Sequence, residues 1–272
     1  MNTTNHPSAV SPFSRELDPA FCYPSRGYQE ALARLELMVE KRYLGVLTGE
    51  VGSGKSTLIR RLFTQLNPMV YTPIYISMAG LKPRDFYGIL LSHVGEEPVY
   101  SVAKAKRLWE EVLYTRNEQG ERTLVIIIDE AQEMKEAMMM ELRFVMNHQI
   151  DSCSLFPLIL VGQPELRKTL RLKKYEATAQ RIGLQYHLSG LSKEETHSYI
   201  RHQLKVHGIQ VPIFSESALQ RIYAASQGIP RVINHICSQA LYEATNKNHE
   251  VIEESHIGRV LTDLDRQRGI TG

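Results

Sequence analysis

The amino-acid sequence predicts an α/β protein, a parallel sheet flanked by helices and followed by a small all-α domain, and three observations carry that expectation. Between residues 30 and 188, short apolar, β-branched runs alternate with stretches of helical periodicity, the signature of βαβ units. The run "LVIIIDEAQ" (124–132) opens with five apolar residues and no alternation, as a strand buried on both faces requires. After Leu188 the strand signal stops, and residues 191–268 carry helical periodicity alone. The expected organisation is a flexible N-terminal arm over 1–20, a sheet domain over 21–190 and a helical domain over 191–272.

Each element follows from local sequence. The arm is rich in Ser, Thr, Asn and Pro. Ala31, Leu32, Leu35, Met38 and Val39 then recur at helical spacing after Ser25, whose hydroxyl suits an N-cap. "LGVLTG" reads as a buried strand, "KSTLIRRLFTQL" as a helix opening near Lys55, and "VYTPIYIS" as a second strand. "KPRDFYGILLSHVG" and "SVAKAKRLWEEVLYTRNEQG" read as helices, and "TLVIIID" as the clearest strand. In "KEAMMMELRFVMNHQ", Met138, Met139 and Met140 cannot all face one way on a helix, and Leu142, Val145 and Met146 continue an ordinary core stripe. "FPLILVG" and "IGLQYHL" read as strands, and "PELRKTLRLKKYEATAQR" between them as mostly helical. Further on, Ser192 with Glu195 fits a capping box, Ser215 a second N-cap, Gly208 and Gly228 the ends of helices, and Pro230 a first helical turn.

Bulk properties narrow the class. The 272 residues are 43% hydrophobic and 23% charged, an ordinary globular balance. A net charge of +2 does not by itself announce a nucleic-acid binder. Cys22, Cys153 and Cys237 show no CxxC spacing and read as small hydrophobes in a reducing compartment. His202 and His207 lack the carboxylate company of a metal site, so no zinc is expected. No apolar run approaches the roughly 18 residues that span a bilayer, and the N-terminus lacks a basic start before an apolar stretch. The expectation is a cytoplasmic protein without a membrane segment.

The chemistry centres on "GEVGSGKST", Gly49-Glu50-Val51-Gly52-Ser53-Gly54-Lys55-Ser56-Thr57. It fits G-x-x-x-x-G-K-S/T, a phosphate-binding P-loop, and lies between a strand and a helix as the mechanism demands. The glycines let the backbone curl until several N–H groups share one concavity at a helix N-terminus, a nest for phosphate oxygens. Lys55 adds a mobile positive charge for the β- and γ-phosphates, and Ser56 a hydroxyl ligand for Mg²⁺. A buried strand then delivers Asp129 and Glu130 at its C-terminal end, where parallel sheets bind ligands. Asp129 is expected to hold Mg²⁺ through its water shell, and Glu130 to polarise the water that attacks the γ-phosphate. The pair reads as a nucleoside triphosphatase using ATP and Mg²⁺.

With these motifs in hand, the chain resembles the AAA+ superfamily over residues 20–268. That resemblance implies further roles. "LILVGQPELR" is similar to the strand ending in a sensor-1 residue, here Gln163, and "AQRIGLQYHLSGLSKEE" to the stretch carrying an arginine finger, here Arg181. "SQGIPRVINHIC" is similar to the sensor-2 motif, which places Arg231 toward the nucleotide. The adenine is expected near Tyr23 and Tyr28 of "FCYPSRGYQEAL" and near Ile229 of the helical lid.

Within the superfamily the sequence resembles the ExeA/GspA group of general secretion pathway A proteins and the related transposition ATPases of the TniB, TnsC and Mu B kind. The phrases are "DPAFCYPSRGYQEALARLELMVEKRYLGVLTGEVGSGKST", "IIIDEAQEM", "LILVGQPELRKTL" and "GIPRVINHICSQAL". Secretion members continue into a membrane span and a cell-wall-binding region, and this chain ends at Gly272 with neither. The resemblance implies an ATP-dependent homo-oligomer that binds duplex DNA with little sequence specificity and directs a transposase. A secretion-assembly ATPase and a nucleotide-dependent loader of another DNA process are the alternatives. Basic clusters at Lys104, Lys106 and Arg107 and from Arg167 to Lys174 suit phosphate neutralisation, and equally suit solvated helix faces.

Overall fold

The computed structural model describes residues 12–14, 21–97, 99–146, 154–247 and 249–267. The expected arm over 1–20 therefore lies outside the described residues except at 12–14, where Phe13 is buried in a helical core. Cys153 also lies outside them.

In chain order the elements are α1 (Arg26–Glu40), β1 (Leu44–Gly49), α2 (Lys55–Gln65), β2 (Tyr71–Ser77), α3 (Pro83–His93), α4 (Val102–Glu118), β3 (Thr123–Asp129), α5 (Glu136–Val145), β4 (Leu158–Gly162), α6 (Pro164–Leu170), α7 (Glu176–Ala179) and β5 (Ile182–Leu188). Four helices follow: α8 (Lys193–Val206), α9 (Glu216–Ser226), α10 (Pro230–Lys247) and α11 (Glu254–Gln267). By packing, the described residues fall into a sheet unit holding 30–51 and 55–188, and a helical unit holding the segments before residue 30, 52–54 and everything after 188.

The sheet unit has five strands in the order β2-β3-β4-β1-β5, all parallel. Burial follows that order. β1, β4 and almost all of β3 are buried residue after residue, because helices cover both faces of central strands. The edge strands β2 and β5 alternate or thin out instead. Pro73 sits in β2, where a missing N–H can face outward from an edge. The core packs Trp109, Phe86, Tyr87 and Phe156 with the strand residues Val46, Ile74, Ile126, Ile128, Leu158 and Leu160. Met138 and Met139 are buried there with Leu142, Val145 and Met146, so the methionine run belongs to the core stripe.

Residues 164–181 are mostly helical, as expected, but in pieces: α6 ends at Leu170, a 3-10 turn covers Lys173–Tyr175, and α7 has four residues. The break lets Tyr175 enter the core and lets the Thr178 hydroxyl donate to the Met139 carbonyl at 3.2 Å, a bond that a straight helix would not aim.

The helical unit buries Ile200, Leu204, Leu219, Ile222, Ile233, Ile236, Cys237, Ile257 and Val260. Its helix ends form as their sequences predict. The Ser192 hydroxyl accepts from the Glu195 N–H at 3.1 Å while Glu195 accepts from the Ser192 N–H at 3.1 Å, and the Ser215 hydroxyl accepts from the Ala218 N–H at 3.2 Å. α9 closes on Gln227 and Gly228, both left-handed (φ 50° and 74°).

Candidate functional site

Strand order sets the site. β4 lies between β3 and β1, so the loops leaving their C-terminal ends are neighbours: the P-loop after Gly49, Asp129-Glu130 after β3, and Gln163 after β4. The register aligns Thr48 with Gly162 across β1 and β4. A crevice at the C-terminal ends of parallel strands, where the strand order reverses, is where such sheets bind ligands.

The P-loop curls through Gly52 (φ 84°) and Gly54 (φ 106°), left-handed backbone that glycine adopts without a Cβ clash. Lys55, the first residue of α2, is buried, and its Nζ donates to the Gly49 and Glu50 carbonyls at 2.8 and 3.0 Å. The Ser53 hydroxyl is buried without a hydrogen-bond partner, a polar group shaped for an occupant of the loop. Open space around Gly54 and exposed Ser56 at the start of α2 complete a cradle that fits a polyphosphate and its magnesium. Lys55 and the loop amides would hold phosphate oxygens, and Ser56 with Asp129 would hold the metal. Among the described residues no cluster of three or more His, Cys, Asp or Glu could hold a metal ion by itself.

Across from the loop, Asp129 is buried and both its oxygens are engaged. Oδ1 accepts the Glu130 N–H at 2.8 Å, and Oδ2 accepts the Tyr75 hydroxyl. Burial first, and the Asp129 carboxylate second, push the Tyr75 phenol up to about 12. Glu130 is exposed and its backbone is left-handed (φ 51°, ψ 39°), which costs a non-glycine residue about 1 kcal/mol. Its Oε2 accepts from the Gln132 side-chain amide at 2.6 Å and from that of Gln163 at 3.5 Å. On the other flank of β1, the Thr48 hydroxyl lies 3.1 Å from His187 Nδ1, and burial and the Arg167 charge hold His187 below the usual histidine range.

The structure thus brings Gln163 beside Glu130. Arg181 is placed elsewhere. It precedes β5, whose first residue, Ile182, pairs with Leu44, whereas Leu188 pairs with Gly49. In the helical unit, Arg231 lies in the first turn of α10, where its N–H donates to the Gly52 carbonyl at 3.2 Å. Tyr23 packs its ring on Tyr199 and His202 at centroid distances of 6.0 and 5.6 Å, and Ile229 is half-buried just before α10. The basic clusters are partly neutralised: Lys106 pairs with Glu141 at 2.9 Å, Lys174 with Glu136 at 2.9 Å, and Lys168 with Glu165 at 3.8 Å. Sequence reasoning did not single out Tyr75 or Gln132. Tyr75 looks like any outward residue of an edge strand, and no spacing rule selects a glutamine three positions after Asp129.

Comparison with known proteins agrees with this geometry. Residues 38–170 match the AAA domain family. General secretion pathway protein A of Aeromonas hydrophila is 36% identical over 249 residues, which is 89% of this chain but 44% of that protein, so the chain spans less than half of its relative. Among solved structures, the Aeropyrum pernix ORC2 protein in ADPNP-ADP complexes superposes with a TM-score of 0.62 at 17% identity, over 92% of this chain and 71% of that one. Drosophila ORC bound to DNA gives 0.61 at 18%, over 93% and 64%. The Thermotoga maritima RuvB Holliday junction branch migration motor gives 0.56 at 20%, over 87% and 70%. The chain thus carries an AAA domain over residues 38–170 and has a P-loop AAA+ fold.

Proposed function

We propose that this protein is a magnesium-dependent ATPase that works as a homo-oligomer in which one subunit completes the site of the next. In each site Lys55 and the loop amides from Gly49 to Thr57 bind the triphosphate, and Ser56 and Asp129 hold Mg²⁺. Glu130 activates water, Gln163 and Arg231 sense the phosphates, and Tyr23 and Ile229 flank the base. The observation that carries the oligomer is the position of Arg181. The P-loop leaves β1 at the level of Leu188, and Arg181 precedes the opposite end of β5. At about 3.3 Å per residue that separation is about 20 Å, beyond the reach of an arginine side chain. An arginine finger at Arg181 therefore serves a neighbour's γ-phosphate, where its planar guanidinium offsets developing charge.

On the client side we favour duplex DNA, bound with little sequence preference, and control of a transposase in the cytoplasm. Support comes from the resemblance of the quoted phrases to transposition ATPases, and from structural neighbours described as bound to DNA or as a branch migration motor. A second reading, assembly of a secretion apparatus, is favoured by the 36% identity to a secretion pathway protein.

Mixed oligomers test the core of this reading. Arg181→Ala and Glu130→Gln are each expected to bind ATP and fail to hydrolyse it, and mixing them should restore turnover, because one supplies the carboxylate and the other the finger. Silence of the mixture, or wild-type turnover by Arg181→Ala alone, sinks the shared site. Imaging with a non-hydrolysable ATP analogue decides the client: DNA-dependent rings or filaments support the first reading, and indifference to DNA the second.

A further inference from the structure

We propose that Gln132 is a positioning residue that ties Glu130 to Gln163 and holds the carboxylate in place for its reaction. The proposal rests on the assignment of Glu130 as the group that activates water.

Immediately after β3 the chain turns back through left-handed Glu130 into the 3-10 turn Ala131–Glu133, which sets the Gln132 side chain beside the Glu130 carboxylate. The orientation of the Gln132 amide is fixed by its partners. The Gln163 N–H, which can only donate, lies 2.9 Å from Oε1, so Nε2 must face Glu130, where it donates to Oε2 at 2.6 Å. One side chain thereby links the ends of β3 and β4. A shift of the Gln163 backbone is passed by two hydrogen bonds to Glu130.

Gly162 supplies independent support. Its backbone is not left-handed, so glycine is not there for conformation. It is there for space: a Cβ would stand 2.7 Å from Gln132 Oε1 and 3.2 Å from Leu166 Cδ2. The last residue of β4 is kept small around the glutamine amide.

Without the Gln132 amide, the exposed Glu130 carboxylate loses its 2.6 Å tether. Gln132→Ala in the full chain is therefore expected to lower kcat about 10- to 100-fold, the worth of one hydrogen bond to a charged group. KM for Mg·ATP should stay within about threefold, so the loss falls on kcat and not on binding. Gln132→Glu keeps the shape but sets a second carboxylate against Glu130, so it should be at least as impaired as Gln132→Ala. Gly162→Ala, whose clash falls on the movable end of Gln132, should fold and reproduce the defect with the same sign. The inference is overturned if Gln132→Ala keeps wild-type kcat or loses kcat and Mg·ATP binding together, if Gln132→Glu turns over like the wild type, or if Gly162→Ala folds with normal kinetics. Glu130→Gln run in parallel separates the two levels: wild-type turnover there removes the role of Glu130 itself. A silent Glu130→Gln beside a normal Gln132→Ala removes only the tie.

Discussion

Tyr75 shows what a single hydroxyl contributes to this site. It stands on an edge strand, 43% exposed, yet its oxygen reaches Asp129 from the next strand. Because the phenol is held up to about 12, it remains a donor at any working pH. With the Glu130 N–H on Oδ1, it stops the buried carboxylate from rotating. Tyr75→Phe should leave nucleotide affinity without magnesium unchanged, and raise the magnesium needed for half-maximal hydrolysis about 10- to 100-fold, the scale of one hydrogen bond to a charged group. A magnesium titration superimposable on that of the wild type would remove Tyr75 from this role. Lys55→Ala acts at the same scale and should abolish nucleotide binding by calorimetry. Neither Tyr75 nor Gln132 is legible in the sequence, because each acts through a partner fixed by register. Tyr75 pairs with Ile127 and Ser77 with Asp129, and that alignment exists only once β2 and β3 meet.

Secondary-structure elements were more legible than side-chain partnerships, for a physical reason: caps and strand burial depend on neighbours a few residues away. The capping box at Ser192 and Glu195 formed as the spacing implied, and the three central strands of the sheet were readable from uninterrupted apolar runs. The stretch over 164–181 is mostly helical as read, but its breaks were not legible, because Tyr175 and Thr178 turn toward partners distant in sequence. Glu195 also has a role that its spacing does not reveal. While Oε2 closes the box, Oε1 accepts the Arg26 N–H at 3.0 Å, so one carboxylate caps both α8 and α1. Glu195→Ala should therefore destabilise by about 1–2 kcal/mol, against about 1 kcal/mol for Ser192→Ala. Equal midpoints for the two variants in urea would show that the Arg26 contact adds nothing. Gly228→Ala should be worse than either. A Cβ there would stand 2.0 Å from the Leu191 carbonyl oxygen, backbone that cannot step aside, in a left-handed residue.

For the molecule as a whole, the buried ionisable groups set a pH window. Burial, reinforced by neighbouring carboxylates, raises Tyr75 to about 12 and Tyr87 well above the ordinary phenol value. Burial alone raises the Cys237 thiol, and burial first of all raises the Tyr199 phenol, whose hydroxyl donates to Asn234 Oδ1. Unfolded, the thiol releases its proton near pH 8.5 and the phenols near pH 10. The folded chain holds these protons longer, so the folded state binds more protons and stability falls as pH rises through this range. The two histidines pushed down by burial, His187 and His256, act at the other end. Below about pH 6.5 the unfolded chain takes up protons that the folded chain resists, so stability falls as pH falls. The urea midpoint should thus be highest between about pH 7 and 8.5 and decline on both sides. Cys237 and Tyr199 lie in the helical unit, and Tyr75 and Tyr87 in the sheet unit. The alkaline decline should therefore begin in the helical unit, where the lower unfolded value belongs to the thiol, and Cys237→Ala should delay its onset toward pH 10. A midpoint constant to pH 11, or an onset that the cysteine substitution does not move, would contradict this account.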